Sequence, residues 1–296
     1  MTAGRADSAT AYLVITGEAI LIGKQPDGDS VRFRADHPDL FDRLQNGRRV
    51  QPSADGTVQL RFDGVDAPEL HYQGQAQPQG GTARDSLLAQ LGFSDVTYRA
   101  GTTTVASARP ATVPMAILSR LVEVNGRPVS VVFTGTAARS LAAAGGTWTE
   151  LGAQLLDQSV NAWEAATGVA YPLLYTSTAP SLRDAFVGHA AAAREQRAGV
   201  WAGDSTPRFS VADAAAVGPS GALILPKLFR RTVDYLRERP DDGLALPDWL
   251  IAHAGSEDDQ VLVAGGPAQP LHTLLQQTDD VVTFAADVLD LVFVER

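Results

Sequence analysis

Leu60-Arg61-Phe62-Asp63-Gly64-Val65-Asp66-Ala67-Pro68-Glu69 is the stretch on which the reading of this chain turns. Apolar and polar residues alternate from Leu60 to Asp63, the pattern of a half-buried strand, which runs on to Val65 until Pro68 stops it. Arg61 stands between Leu60 and Phe62, and a guanidinium inside such a strand needs a partner to offset its burial. Asp63, Asp66 and Glu69 put three carboxylates around the strand exit. Proline bends the chain into an extended course there, so Glu69 need not share the face of Asp66. Taken singly, aspartates beside glycine or proline are most often turn formers.

Working outward, Ala11 to Ile22 reads as a first strand and Ser30 to Arg34 as its hairpin partner. Pro26-Asp27-Gly28-Asp29 is the turn between them, with glycine expected in the left-handed position. His37 to Ser53 reads as an insertion, and Thr57 to Val65 as the strand quoted above. Residues 71–81 form a Gln/Gly/Pro-rich loop. Thr82 to Leu91 has helical spacing and Gly92 as its stop. Val96 to Ser107, Pro114 to Val124 and Val129 to Thr134 supply strands, the last two joined at Gly126. Helices are expected over Glu150 to Ala166 and over Leu182 to Arg197, the second with a capping-box-like Ser181/Asp184 pair. Beyond residue 205, helices are expected at Leu223–Arg239, Pro247–Ala254 and Leu271–Gln277, with strands at Gln260–Ala264 and Val288–Glu295. This order predicts an α+β protein: a five-stranded β-barrel with about three helices over residues 1–205, and a small α/β extension over 206–296.

Composition narrows the chemistry. The 296 residues contain no cysteine, which excludes disulfides and thiolate ligands. No apolar run is long enough to span a bilayer, and the N-terminal residues carry no apolar leader core, so the expectation is a cytoplasmic protein without a membrane partner. The net charge of −10 argues against loose binding to duplex DNA. Residues 206–296 hold 7 of the 24 basic and 14 of the 34 acidic residues, so the acidity concentrates there. The five histidines show no metal-ligand spacing. Glu257-Asp258-Asp259 reads as a solvated loop.

Four segments in register carry a resemblance. The quoted strand, Asp27-Gly28-Asp29-Ser30, Asn125-Gly126-Arg127-Pro128-Val129 and Ala193-Arg194-Glu195-Gln196-Arg197-Ala198-Gly199-Val200-Trp201 together resemble the motifs of the staphylococcal nuclease-like (thermonuclease-like) family, over about residues 11–205. The resemblance implies an OB-fold barrel and calcium-dependent hydrolysis of DNA and RNA, single strands favoured, leaving 3′-phosphate and 5′-hydroxyl ends. It implies Asp29, Asp66 and the Ala67 carbonyl as calcium ligands, and Glu69 as the base that activates water. Arg61 and Arg127 would hold the phosphate and stabilise the pentacovalent state, with Tyr171 as an aromatic near the nucleotide.

The chain departs from the family where Asn125 replaces a tyrosine and Val124 a frequent lysine. Residues 206–296 match no motif; a protein partner, an inhibitory lid and a structural extension all remain open for them. The competing expectation for the whole is a catalytically silent OB-fold module that binds nucleic acid or protein.

Overall fold

The computed structural model describes residues 11–238, 243–255 and 257–295. Arg239 and the N-terminal residues read for a leader lie outside them. The chain is α+β. β1 (Ala11–Ile20) turns back into β2 (Arg32–Ala35), and β3 (Val58–Gln59) and β4 (Arg61–Phe62) follow, interrupted at Leu60. β5 (Gly64–Asp66) leaves the sheet, and α1 (Gly80–Leu91) ends at Gly92, whose φ of 105° suits only glycine. A separate hairpin, β6 (Ser94–Tyr98) and β7 (Val105–Arg109), precedes the long strands β8 (Thr112–Val122) and β9 (Pro128–Thr134). α2 (Gly135–Ala142), β10 (Trp148–Glu150), α3 (Ala153–Leu156), α4 (Val160–Thr167), β11 (Tyr171–Leu173) and α5 (Pro180–Glu195) complete the first part.

Six strands run in the order β3-β2-β1-β8-β9-β4, with β10 added on β1. The first and last strands of that path are separated in sequence only by Leu60, so the sheet nearly closes on itself. Leu60 N–H donates to the Val31 carbonyl (3.1 Å) and Asp63 N–H to the Ser130 carbonyl (2.9 Å), one to each side of the seam. β4 runs parallel to β9, pairing Arg61 with Val129. Six strands appear rather than five because the closing segment switches partner at Leu60 and is divided there. The interior holds Leu13, Ile15, Phe33, Leu60, Ile117 and Val132, all fully buried. Side-chain alternation explains why these positions read as apolar on one face.

Residues 150–166 form two helices, not one, because Ser159 caps the second: its hydroxyl accepts the Ala162 N–H (3.0 Å). α5 starts at Pro180 with no side-chain cap, so Ser181 and Asp184 do not form the expected box. Proline at the first position has no N–H to satisfy, and its fixed φ suits a helix start.

The C-terminal part is richer in strands than its sequence suggested. After β12 (Arg208–Ser210), α6 (Pro226–Glu238) and α7 (Leu246–Ala252), the chain forms β13 (Gln260–Val263), β14 (Gln269–Pro270), β15 (Leu275–Thr278), β16 (Val281–Phe284) and β17 (Leu291–Phe293). They make two three-stranded sheets, β12-β16-β15 and β14-β13-β17. The helix expected over 271–277 is a single 3₁₀ turn at Leu271–Leu274 followed by β15. A second apolar core joins this part to the first: Phe209, Phe229, Trp249 and Phe293 pack in one cluster with Tyr171, Leu173 and Trp201. No helix among the described residues is long and apolar enough to cross a membrane.

Asn161 of α4 locks the barrel seam. Fully buried, it accepts the Val132 N–H (2.8 Å) and donates to the carbonyls of Asp63 (2.8 Å) and Ser130 (3.0 Å). Replacing it by alanine removes three hydrogen bonds and leaves backbone groups unsatisfied. Asn161→Ala is expected to lower the unfolding free energy by roughly 2–4 kcal/mol, measured by urea denaturation.

Candidate active site

Three chain segments meet at one end of the barrel seam. The first is the turn at Asp27–Ser30. Gly28 does not adopt the left-handed backbone expected of it. It is needed for space: a Cβ there would lie 2.6 Å from the Ala67 Cβ and 2.9 Å from the Ala83 Cβ. The turn therefore presses onto the second segment, residues 61–69. Phe62 N–H donates to the Asp29 carbonyl (3.2 Å), and Ala67 N–H reaches the Asp29 Oδ2 (3.4 Å). At Gly64, with φ of 79°, the chain turns out of the sheet, and β5 then pairs with β11. The third segment is α6.

A cavity of about 830 Å³ opens over these groups. Asp29, Arg61, Asp66, Glu69 and Arg127 all border it. Tyr171 does not. It is fully buried, its hydroxyl donates to Asp204 (2.9 Å), and its ring packs edge-on against Trp201 at 5.2 Å. The aromatic at the cavity is Tyr175, four residues on. The Arg61 Nη2 donates to its hydroxyl (3.4 Å) and the guanidinium lies 5.9 Å from the ring centre. A tyrosine placed only by its sequence neighbourhood is ambiguous between these two positions; the tertiary fold separates them.

Arg127 is at the rim and engaged by its own hairpin. The Glu123 Oε1 accepts from both its Nε (3.0 Å) and its backbone N–H (3.1 Å), while the Glu123 Oε2 accepts from Asn125 (2.9 Å). Asp63, the first of the three carboxylates at the strand exit, is half-buried and borders the cavity.

The C-terminal part supplies what the sequence reading did not anticipate. Arg230, in α6, donates from Nη1 to the Asp66 Oδ1 (3.2 Å), from Nη2 to the Asp66 Oδ2 (2.9 Å), and from Nη1 also to the Glu69 Oε1. One turn earlier, Lys227 pairs with Asp259 (3.3 Å) and approaches the Tyr175 hydroxyl (3.4 Å). Arg231 pairs with Glu257 and Asp259. The acidic run 257–259 is thus not a solvated loop: Asp258 and Asp259 are buried, and Asp258 also holds the His272 Nδ1 at 2.7 Å. Basic residues at 227, 230 and 231 share a helical face by spacing. Nothing local specifies where that face docks.

Burial governs the acid–base character. It pushes Glu69 up to about 7, with Asp66 and Asp27 adding to the rise and Arg230 opposing it. Burial and the neighbouring Asp66 and Glu69 charges push Asp29 up to about 7, against Arg61 and Arg230. Asp27 rises to about 7 by burial and the Asp29 charge. In α4, Glu164 is wholly buried, and neither carboxyl oxygen has a hydrogen-bond partner among the described residues. Burial and then the Asp29 charge hold it well above the usual carboxylate range.

Asp29 and Asp66 offer the hard oxygen donors that calcium prefers. As arranged, they do not fit the ion. Both oxygens of Asp66 and one of Glu69 already accept from Arg230, and no group of three His, Asp or Glu among the described residues is disposed to hold a metal.

A carboxyl whose folded pKa is raised keeps its proton longer in the native state than in the unfolded chain. Its contribution to stability therefore falls as pH climbs from the ordinary carboxylate range to about 7, and is level above that. The urea midpoint is expected to drop between about pH 5 and pH 7, and Glu69→Gln to make that slope shallower by removing one titrating group.

Compared with known proteins, the chain matches no family model and has no significant match among curated proteins.

Proposed function

We propose that this protein hydrolyses phosphodiester bonds in DNA or RNA, single strands favoured, on a barrel of the OB type used by staphylococcal nuclease-like proteins. The observation that carries the reading is the convergence of Glu69, Arg61 and Arg127 on one cavity, together with Asp29 and Asp66. A phosphodiester needs positive charge where the phosphorane develops and a base for the incoming water. Arg61 is anchored by the Tyr175 hydroxyl and is held protonated: burial works against its charge, but Tyr175, Asp66 and Asp29 outweigh it. The guanidinium fork suits two phosphate oxygens at once.

Glu69 takes the role of base. Its Oε1 faces Arg230, and its Oε2 carries no hydrogen bond among the described residues, leaving it for a water molecule. A base poised near 7 combines availability at neutral pH with useful basicity. Water attacks phosphorus as its proton passes to Glu69. The bond from phosphorus to the 5′-oxygen breaks, the 5′-oxygen takes up a proton from solvent and Glu69 returns its proton to solvent, and 3′-phosphate and 5′-hydroxyl ends result. Arg61 and Arg127 stabilise the charge on the equatorial oxygens. For Arg127 this requires exchanging Glu123 for phosphate.

The calcium dependence implied by the resemblance has no open ligand set here, so no step is assigned to an ion. A second reading, a silent module that binds nucleic acid or protein through the same cavity, is favoured by one observation. Arg230 and Glu123 occupy the groups, Glu69 and Arg127, that hydrolysis uses.

Hydrolysis of single-stranded DNA by the full chain, in chelator and in calcium, separates the two. Wild type is expected to cleave, and Glu69→Gln to be at least ~100-fold slower. The wild-type rate is expected to fall below about pH 7, as Glu69 gains its proton. No cleavage in either buffer, with salt-sensitive retention of the strand in a gel, would favour the binding module instead.

A further inference from the structure

We infer that Arg230 is the resident cation of this acid cluster, taking the place on Asp66 and Glu69 that a divalent metal ion would need, so that the site is complete without a metal. The inference rests on the reading of this cavity as a phosphodiester site for its interest, but on contact geometry for its support.

The geometry is a planar fork laid against a carboxylate. Nη1 and Nη2 of Arg230 lie 3.2 and 2.9 Å from the two oxygens of Asp66, and Nη1 also reaches Glu69. Two parallel N–H donors on one carboxylate are the strongest arrangement a guanidinium makes. A calcium ion binds carboxylate oxygens at about 2.3–2.6 Å through the lone pairs these hydrogens now use. Entry of an ion would also set a double positive charge beside a guanidinium. Asp66 is 1 % exposed, so water would screen that repulsion little.

Arg230 is not on an arm that swings. It projects from α6, whose Leu228, Phe229, Thr232 and Val233 are buried in the second core. On either side in sequence, Lys227 and Arg231 are pinned by Asp259 and Glu257. Gln77 ties the Glu69 loop to the segment preceding α6. Its Oε1 accepts the Glu69 N–H (3.1 Å), and its Nε2 donates to the Ile224 carbonyl (2.7 Å). The helix backbone is therefore fixed, and rotating the guanidinium away would leave the buried Asp66 without its cation, so the ion pair belongs to the resting site. Arg230 acts through Asp66 and Glu69 and is a positioning residue.

The test is metal binding and metal-linked stability of the full chain. Wild type is expected to melt at the same temperature in chelator and in millimolar calcium, and to give no saturable terbium luminescence. Arg230→Gln leaves buried carboxylates without their cation. It is expected to melt several degrees lower in chelator, to recover in calcium, and to bind terbium at least about tenfold more tightly than wild type. Adding Asp66→Asn to that variant should abolish the gain, and Arg230→Lys, which keeps the charge, should remain insensitive to calcium. A saturable rise in wild-type melting temperature with calcium, or equal terbium binding by wild type and Arg230→Gln, would overturn the inference. If Arg230→Gln does not fold, the wild-type titration and Arg230→Lys still decide it. Hydrolysis does not enter these readouts, so absence of nuclease activity would leave them intact.

Discussion

The constraint on which this structure depends is the double pairing of residues 58–63. On one side they bond to the strand that follows the Asp27–Ser30 turn, and on the other to β9. A segment hydrogen-bonded on both sides cannot slip without moving every side chain to the wrong face. That closure sets Asp29 against Ala67 and aims Arg61 at the cavity. It also leaves Asp66 at the point where the chain departs from the sheet. Asn161 satisfies the backbone groups where the departing strand and β9 separate, which is why a buried amide sits among apolar neighbours.

Charge in the cavity is balanced by the C-terminal part. Asp27, Asp29, Asp66 and Glu69 crowd together with limited access to water, and so many ionised carboxylates cannot coexist there without cations nearby. Arg61 supplies one from the barrel and Arg230 another from α6. This gives the C-terminal residues a physical role that their acidic composition concealed. On one basic helix face, Lys227 and Arg231 pair with Asp259 and Glu257 of the same C-terminal part, while Arg230 reaches the acids of the barrel.

Much of the barrel was legible in its sequence. The alternation around Leu60, the turns at Asp27–Ser30 and Gly126, and the helical spacing of residues 82–91 each follow from local periodicity or turn chemistry, and the elements stand where these signals put them. Local signals failed where tertiary contacts chose between nearly equal options. Residues 271–277 carry apolar residues that fit a helix or a strand, and pairing with Val281–Phe284 decides for the strand in Leu275–Thr278. Gly28 is required for a cause its turn sequence does not show: the approach of Ala67 and Ala83, not its own backbone angle, excludes a side chain.

The chain's own sequence determined the kinds of group at the strand exit: an arginine flanked by apolar residues, carboxylates around a proline, and a tight acidic turn upstream. These follow from short-range rules, because periodicity and proline act within a few residues. Only the tertiary structure decided their partners. Asp66 and Arg230 are 164 residues apart, as Asp63 and Asn161 are 98 apart. No local propensity reaches across such distances; packing of the second core against Tyr171 and Trp201 does. The same packing buries Tyr171 and leaves Tyr175 at the cavity. The sequence named the acids. The fold chose the cation that faces them.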